Sequence, residues 1–253
     1  MQLVSLLFHD VFVSDASESG FNSPAADRYK LSLSEFDAQL RAAGPSGPSG
    51  PSGALGAARL TFDDGGVSFY TIVAEKLEAR GLRAYCFVTT DFIGRTGFLD
   101  AAQIRELDAR GHVIGTHSAS HPTRFSALSG ADMRREWVES RQRLEDVLGH
   151  PVTAGSVPGG YFSREVGRAA AESGLFLLFN SEPTRSARAI DGCAIAGRFV
   201  IRAGAPPDLA RRLVQSVRAR SKEWAAWNAK GLVKPLLGSS YPRVADWIYG
   251  GVR

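Results

Sequence analysis

The chain has 253 residues, 44% of them apolar, and a formal net charge of +4. This length lies in the range in which an α/β barrel forms one domain, and the apolar fraction is sufficient for a sizeable core. The two cysteines exclude a disulfide framework, and no apolar run is long enough to be a membrane-spanning helix.

The first predicted element is a strand in the apolar run Leu3–Phe8, which ends at His9 and Asp10. The chain start lacks the basic residues of a signal peptide, and His9 cuts the apolar run short, so the sequence predicts a cytoplasmic protein. The long polar connection Asp15–Lys30 comes next, and we expect it to shape the entrance to a site at this end of the strand. A tandem Pro-Ser-Gly repeat in residues 44–53 predicts a flexible surface loop.

Strands and helices alternate through most of the remaining chain, as expected of a βα barrel. Two predicted strands, Ala57–Phe62 and His112–Thr116, end directly before Asp63 and His117. A further apolar run, Leu175–Phe179, comes after the last of four predicted helices. Three of these helices are Val67–Arg80, Leu99–Arg110 and Ser163–Ser173. The other, third in chain order, is capped by Ser129 and ends at Gly149.

Two polar clusters follow these strand ends: Thr61-Phe62-Asp63-Asp64-Gly65-Gly66 and His117-Ser118-Ala119-Ser120-His121-Pro122. Asp-Asp-Gly alone is typical of a turn, and His-x-x-x-His alone of a solvated helix face. Their position changes this interpretation, because α/β folds place their chemistry just past strand ends. The i and i+4 histidines predict one helical turn whose imidazoles reach the same ion, with one carboxylate as third ligand. Such a site leaves a coordination position for water, and the other aspartate is free to move protons.

These motifs resemble those of the polysaccharide deacetylases of carbohydrate esterase family 4, whose catalytic unit is the NodB-homology domain. The resemblance runs from about Leu3 to Phe199, and Leu7–Val11 is similar to the opening motif of the poly-N-acetylglucosamine deacetylase branch. It implies a distorted (β/α)7-type barrel in residues 1–200. It also implies metal-dependent removal of N-acetyl groups from amino sugars of a polysaccharide or a lipid-linked glycan.

The resemblance further implies roles for individual residues. The implied general base is Asp63. The implied metal ligands are Asp64, His117 and His121, with Thr61 beside them. The backbone near Gly160 and Tyr161 is implied to face the oxyanion. The implied metal is zinc, with cobalt, nickel or iron as alternatives.

The chain also departs from the family pattern at two places. Ser156 stands where many members have an arginine that orients the base, so we expect the base to lack this clamp. The late Leu-x-His motif that supplies a general acid is absent, because the last histidine is His150. His112 and His150 are predicted at the wrong end of the barrel, which leaves His9 as the candidate proton donor. The alternative for His9 is a strand-end histidine bound to a backbone carbonyl.

These departures leave two other functions open: a protein that binds a glycan without turnover, and a hydrolase of another non-peptide amide, such as a formamide or a ring imide.

Residues 201–253 are predicted as a basic, helical C-terminal extension. From Arg198 onward the chain has eleven Lys and Arg against three acidic residues. The aromatic residues of this segment are Trp224, Trp227, Tyr241, Trp247 and Tyr249. This mixture is typical of a segment at a membrane interface, and the alternative is a helix that packs its tryptophans on the barrel. No recognition motif accompanies the charge, so we expect no nucleic-acid partner.

Overall fold

The computed structural model describes residues 3–42 and 58–237, with side chains described as far as residue 229. The Pro-Ser-Gly repeat and the aromatic residues Tyr241, Trp247 and Tyr249 lie outside the described residues. The strands within them are β1 (Val4–Phe8), β2 (Val11–Phe12), β3 (Leu31–Ser32), β4 (Ala58–Phe62), β5 (Tyr85–Val88), β6 (Val113–Thr116), β7 (Ala154–Ser156), β8 (Leu177–Phe179), β9 (Ala187–Ile190), β10 (Cys193–Ala196) and β11 (Phe199–Val200).

The helices follow the strands in the alternation that the sequence predicts. They are α1 (Pro24–Asp27), α2 (Leu33–Ala42), α3 (Ala74–Glu78), α4 (Ala101–Ala109), α5 (Gly130–Leu148), α6 (Arg164–Glu172), α7 (Leu209–Gln215) and α8 (Val217–Leu237). A π-helical turn, Phe69–Val73, leads into α3, so the predicted helix Val67–Arg80 is present but irregular in its first half.

The described strands form a large sheet in the order β11-β1-β4-β5-β6-β7-β8-β10-β9, beside a small sheet of β2 and β3. All neighbours in the large sheet are parallel except β9, which is antiparallel to β10. The predicted distorted barrel is confirmed, and among the described strands β9 and β11 are unpaired edges, so the sheet is curled but open. Phe8 pairs with Phe62, and Val88 with Thr116, so the residues that follow these strands lie along one rim.

Both faces of the sheet are covered by apolar side chains. Along β5, Cys86 and Val88 belong to the large core beneath α2, α3 and α4, whereas Tyr85 and Phe87 pack with Phe179 in a separate cluster. This alternation follows from the period of two in a strand. The carboxyl-terminal rim is therefore held by strands that are packed on both sides.

The predicted helix boundaries have the expected caps. The Ser129 side chain accepts a hydrogen bond from the Asp132 N–H at the start of α5, and the Ser163 side chain does the same for Val166 at the start of α6. α5 ends at Gly149, whose φ of 76° is left-handed, a conformation that glycine adopts without a Cβ penalty. These positions fix where each helix returns the chain to the sheet.

The core extends beyond residue 200, because Ala210 and Leu213 of α7 are fully buried in the same cluster as β1 and α2. The division of the chain into residues 1–200 and 201–253 stays a prediction. Among the described helices, none combines the length and apolar character that a membrane crossing requires.

Candidate active site

The two adjacent aspartates lie just past the end of β4. The Asp63 N–H donates to the Phe8 carbonyl at 3.1 Å, which continues the pairing with β1 for one residue. Asp64 then takes a left-handed conformation, with φ of 76°, and Gly65 follows with φ of 79°. A Cβ at Gly65 would lie 3.1 Å from the Val88 Cα, so glycine is needed for this close approach to β5. The tight turn separates the two carboxylates and points them to different partners.

The loop after β6 brings two histidines to the same place, although its backbone differs from the prediction. Residues 117–122 form no helical turn: Ser118 and His121 are left-handed, with φ of 67° and 57°. The expectation of a helical turn was wrong because side chains satisfy this backbone instead. The Glu136 carboxylate on α5 accepts from the N–H groups of Ala119 and Ser120 at 3.0 and 2.9 Å. Ser118 Oγ accepts from the His121 N–H at 3.1 Å.

Three potential ligand atoms converge at the rim. The Nε2 atoms of His117 and His121 each lie 3.4 Å from Asp64 Oδ1, and the candidate ligand atoms of the three residues all lie within 4.8 Å of one another. Two ligands about 2.1 Å from a tetrahedral zinc ion are about 3.4 Å apart. His117 Nδ1 lies 2.9 Å from the Ser156 carbonyl, which can only accept, so Nδ1 carries the proton and Nε2 keeps its lone pair. The donor set and its spacing therefore fit a divalent cation.

Asp63 is held away from this set by an arginine that the sequence interpretation missed. Arg198 donates to Asp63 Oδ1 at 2.7 Å and to Oδ2 at 2.8 Å, a bidentate pair in which both side chains are buried. Ser156 Oγ accepts from Arg198 at 2.7 Å and donates to Asp63 Oδ2 at 3.0 Å. The prediction that Asp63 lacks an arginine clamp was wrong, because Arg198 occupies the space that the small Ser156 side chain leaves.

All five N–H donors of Arg198 are used, since Asn180 and Thr61 accept the remaining hydrogen bonds. Thr61 is completely buried, so it supports the clamp and does not line the cavity. The signal for Arg198 in the sequence was a single cation inside the apolar run between Ala194 and Ile201. A charge at that place is costly to bury unless it is paired.

The electrostatics of the aspartates follow from these contacts. Burial alone would raise the pKa of Asp63, but the charge of Arg198 and the neighbouring His117 outweigh it and lower the pKa below its ordinary value. At Asp64 the contacts with the His117 and His121 imidazoles outweigh burial and hold the pKa well below the usual range. Both carboxylates are therefore ionised at neutral pH.

His9 lies at the same rim, past the end of β1. Its ring packs 4.8 Å from the Tyr29 ring, and its Nδ1 atom is buried without a hydrogen-bond partner among the described residues. Burial lowers the pKa of His9 despite the opposing charges of Asp64 and Asp63. His112 and His150 lie elsewhere, bonded to Glu78 and Asp108. Of the three, His9 alone lines the cavity described next.

A cavity of about 470 Å³ opens over the aspartates and histidines. The connection between β1 and β3 forms one wall with Phe21, Asn22 and Tyr29, so the predicted role of this segment at the entrance fits its position. Gly160 also lines the cavity, but its N–H donates to the Val157 carbonyl at 3.0 Å and is not available to a ligand. Tyr161 is not among the lining residues, and its ring lies under the Arg124 guanidinium.

The two described tryptophans of α8 have different surroundings. Trp227 lines the cavity, whereas Trp224 is more exposed and lies in a separate groove with Arg185 and Arg220. The position of Trp227 fits the alternative in which the helix packs on the barrel. Residues of the C-terminal extension therefore contribute to the cavity wall.

Comparisons with known proteins bear on the family and the fold of the chain. Residues 55–177 match the family model described as polysaccharide deacetylase. A putative polysaccharide deacetylase of Bacillus subtilis (strain 168), YxkH, is 26% identical over 129 residues, which are 51% of this chain and only 46% of that relative.

Solved structures share the fold. The Streptococcus pyogenes deacetylase PplD, solved in complex with acetate, superposes with a TM-score of 0.71 at 20% identity, over 85% of this chain and 99% of that one. IcaB from Ammonifex degensii has a TM-score of 0.63 at 21% identity, over 84% and 97% of the two chains. Together with the two sequence motifs, the sequence matches confirm the resemblance of residues 55–177 to the polysaccharide deacetylase family, and the solved structures show that the fold is the same.

Proposed function

We propose that this protein is a metal-dependent hydrolase that removes N-acetyl groups from amino sugars of a polysaccharide or a lipid-linked glycan. One observation carries the proposal. Three ligand atoms from Asp64, His117 and His121 converge in a cavity, and a fourth group, Asp63, is fixed beside them by a separate partner. A site with two histidines and one carboxylate keeps room for water, which distinguishes catalytic metal sites from structural ones.

Asp64, His117 and His121 would hold the metal through one carboxylate oxygen and two imidazole nitrogens. When bound, a divalent cation would polarise the acetamide carbonyl and make water a stronger acid. Zinc suits this donor set best, and cobalt, nickel and iron also accept imidazole and carboxylate ligands. The Ser156 carbonyl contributes by holding the His117 ring in the tautomer that leaves Nε2 free.

Asp63 acts as the general base in this proposal. Its Oδ2 atom lies 4.0 Å from His117 Nε2, close to the ligands but outside their cluster. Arg198 donates to both carboxylate oxygens and Ser156 to Oδ2, which leaves one lone-pair site, on Oδ1, that can accept a proton from water. Because the carboxylate cannot rotate away, its orientation is set before substrate arrives, and a fixed orientation of this kind accounts for much of enzymatic rate enhancement.

His9 is the proposed proton donor to the leaving amine. It faces the cavity, and a neutral imidazole can give its N–H proton to the amine while its other nitrogen receives the proton that Asp63 has taken from water. His9→Ala tests this role in folded, metal-loaded protein. An unchanged rate and an unchanged pH profile would remove His9 from the mechanism.

Two other functions remain candidates from the sequence. A glycan-binding protein without turnover was suggested by Ser156 and by the missing late histidine, and the Arg198 clamp supports the catalytic alternative against it. A hydrolase of another amide would use the same groups on a smaller acyl unit or a ring. The predicted cytoplasmic location and the predicted contact of the C-terminal extension with a membrane surface stay predictions.

The deciding experiment measures acetate release from N-acetylated oligosaccharides and lipid-linked N-acetyl sugars by protein reloaded with zinc or cobalt. We expect metal-dependent release that falls about 10³-fold in Asp63→Asn at unchanged metal content, since general-base catalysis contributes about 10²–10⁴-fold. Formate release from an N-formyl sugar is followed in parallel. No acetate release at stoichiometric metal loading would contradict the proposal, and formate release alone would favour the other amide.

A further inference from the structure

Arg202, an arginine that lines the catalytic cavity, differs from the buried Arg198 in what it binds. Arg202 lines the cavity and is partly buried, and its Nε atom is buried without a hydrogen-bond partner. Among the side chains described, none forms an ion pair or hydrogen bond with the Arg202 guanidinium. Arg198, four residues earlier, uses every donor on protein atoms. Arg202 therefore holds a positive charge whose hydrogen-bonding capacity is left to a ligand or to water.

The Arg202 guanidinium is nevertheless held in place. It lies over the Tyr29 ring, 5.2 Å from the ring centroid, and the other neighbour of Tyr29 is the His9 ring. Stacking on an aromatic ring fixes the plane of a guanidinium while leaving its edge donors available. His9, Tyr29 and Arg202 thus form a row that leads from the catalytic groups along the cavity wall.

Arg202 also stands where the catalytic cavity meets a neighbouring one. The second cavity, of about 170 Å³, shares Ser181, Val200, Arg202 and Trp227 with the first. Glu223 lines this second cavity but lies beyond ion-pair distance of Arg202. A ligand that extends from the catalytic cavity into the second one would therefore pass Arg202 and Trp227.

We propose that Arg202 binds an anionic oxygen group, a phosphate or a carboxylate, carried by the amino sugar whose acetyl group is removed. The inference rests on the proposed deacetylase function and adds the charge of the substrate to it. A planar guanidinium binds two oxygens of such a group at once, which a neutral polysaccharide does not offer. Trp227 beside it supplies an apolar face for a sugar ring.

Binding of reaction products tests the proposal without requiring turnover. Titration calorimetry on zinc-loaded protein compares glucosamine with glucosamine 1-phosphate, and glucosamine with muramic acid, which carries a carboxylate. We expect one anionic sugar to bind about tenfold more tightly than glucosamine, the size expected for a charged hydrogen bond. In Arg202→Gln this preference should fall to less than about twofold. Phosphate bound directly by the metal would persist in the variant, so only the difference between the proteins is assigned to Arg202.

The matched control is Arg95→Gln, because Arg95 also lies over an aromatic ring, 4.5 Å from the Phe92 centroid, but does not line the cavity. It should keep the full preference. Arg202→Lys keeps the charge but loses the planar guanidinium, so it should show an intermediate preference for the anionic sugar. This variant tests the proposal if Arg202→Gln does not fold.

A preference for the phosphate supports a glycosyl phosphate or lipid-linked substrate, and a preference for the carboxylate supports an acidic sugar. The proposal is overturned if wild-type protein prefers neither anion, or if Arg202→Gln keeps the preference. Acetate release is measured separately. If release is absent while Arg202 still selects the anion, it is the deacetylase proposal that fails.

Discussion

The two ends of β6 carry the same kinds of side chain in different surroundings. The lower cluster, at the amino-terminal end, consists of His112, Glu78 and Arg110, and the upper cluster, at the carboxyl-terminal end, consists of His117, Asp63 and Arg198. In each, an arginine binds a carboxylate through two hydrogen bonds, of 2.9 and 3.0 Å below and of 2.7 and 2.8 Å above. Residue types alone do not distinguish these clusters.

What distinguishes them is which atoms the protein leaves without a partner. In the lower cluster, His112 accepts from the Ala84 N–H through Nδ1 and bonds Glu78 through Nε2, so both nitrogens are used. In the upper cluster, His117 uses Nδ1 on a carbonyl and points Nε2 towards Asp64, where His121 also converges. A cavity opens over the upper cluster only, as far as the described cavities show. The lower cluster therefore stabilises the fold, whereas the upper one has atoms to offer a ligand.

The largest expected difference comes from removing each histidine in turn. His117→Ala should weaken metal binding by at least about 100-fold and reduce acetate release to background, because one of three ligands is lost. His112→Ala should keep stoichiometric metal and instead lower the free energy of unfolding by about 1–3 kcal/mol, since Glu78 and the Ala84 N–H lose a buried partner. Elemental analysis and denaturant unfolding measure both. Metal loss from folded His112→Ala would contradict the assignment of a purely structural role to the lower cluster.

The second largest expected difference is between substitutions of the two arginines, Arg198 in the upper cluster and Arg110 in the lower cluster. Arg198→Gln leaves a buried carboxylate without its ion pair, so we expect a loss of about 3–5 kcal/mol in unfolding free energy. Below the unfolding transition, kcat should fall about 100-fold with KM and metal content nearly unchanged, because Asp63 loses its orientation. Arg110→Gln breaks a partly exposed pair and should cost about 1 kcal/mol or less, with no change in kcat. A KM effect with normal kcat in Arg198→Gln would show that Arg198 does not position the base.

The contributions of Asp10 and Glu78 to the free energy of unfolding should change with pH in opposite directions. Burial raises the pKa of Asp10 from 3.8 to about 6, so its contribution to stability is full below about pH 4 and is lost as pH rises through 6. The loss is about 3 kcal/mol, and Asp10→Asn should remove it.

At Glu78, burial is outweighed by hydrogen bonds from Arg110 and His112, which lower the pKa below 4.5. That contribution is present above pH 4.5 and is lost as pH falls, and Glu78→Gln should remove this acid sensitivity. Unfolding free energies measured between pH 3 and 7 in EDTA give both slopes. The idea fails if the two variants shift the pH dependence in the same direction.

The smallest effect concerns the two tryptophans of α8, which extend the comparison to a single helix. Trp227→Ala should raise KM about threefold to tenfold, the size expected for a lost sugar-stacking face, with kcat unchanged. Trp224→Ala, on the same helix but outside the cavity, should leave KM within twofold. Equal changes in both variants would point to the fold of α8 and not to substrate contact.

The predictable part of this molecule was the part encoded locally. The strand ends before Asp63 and His117, and the caps at Ser129, Ser163 and Gly149, follow from a few neighbouring residues. The convergence of the two motifs followed from parallel strands that end at one rim.

What the sequence did not reveal depends on distant partners. Arg198 binds a carboxylate 135 positions earlier, and no local pattern marks that pairing. The backbone between His117 and His121 was predicted as helical, whereas Glu136 on α5 caps its N–H groups and holds a non-helical loop. Trp227 reaches the cavity only because of how α8 packs, which its mixed sequence does not determine.

Arg198 supplies the arginine that the family motif would have at Ser156, and this bears on how the activity of divergent relatives is inferred from sequence. The guanidinium meets the Ser156 hydroxyl at 2.7 Å although the residues are 42 positions apart in sequence. An arginine can thus reach Asp63 from the connection between β10 and β11, where position 156 carries a small side chain. A missing arginine in one motif is then weak grounds for declaring a homologue inactive. A better criterion is whether any segment of the fold brings a buried cation to the aspartate.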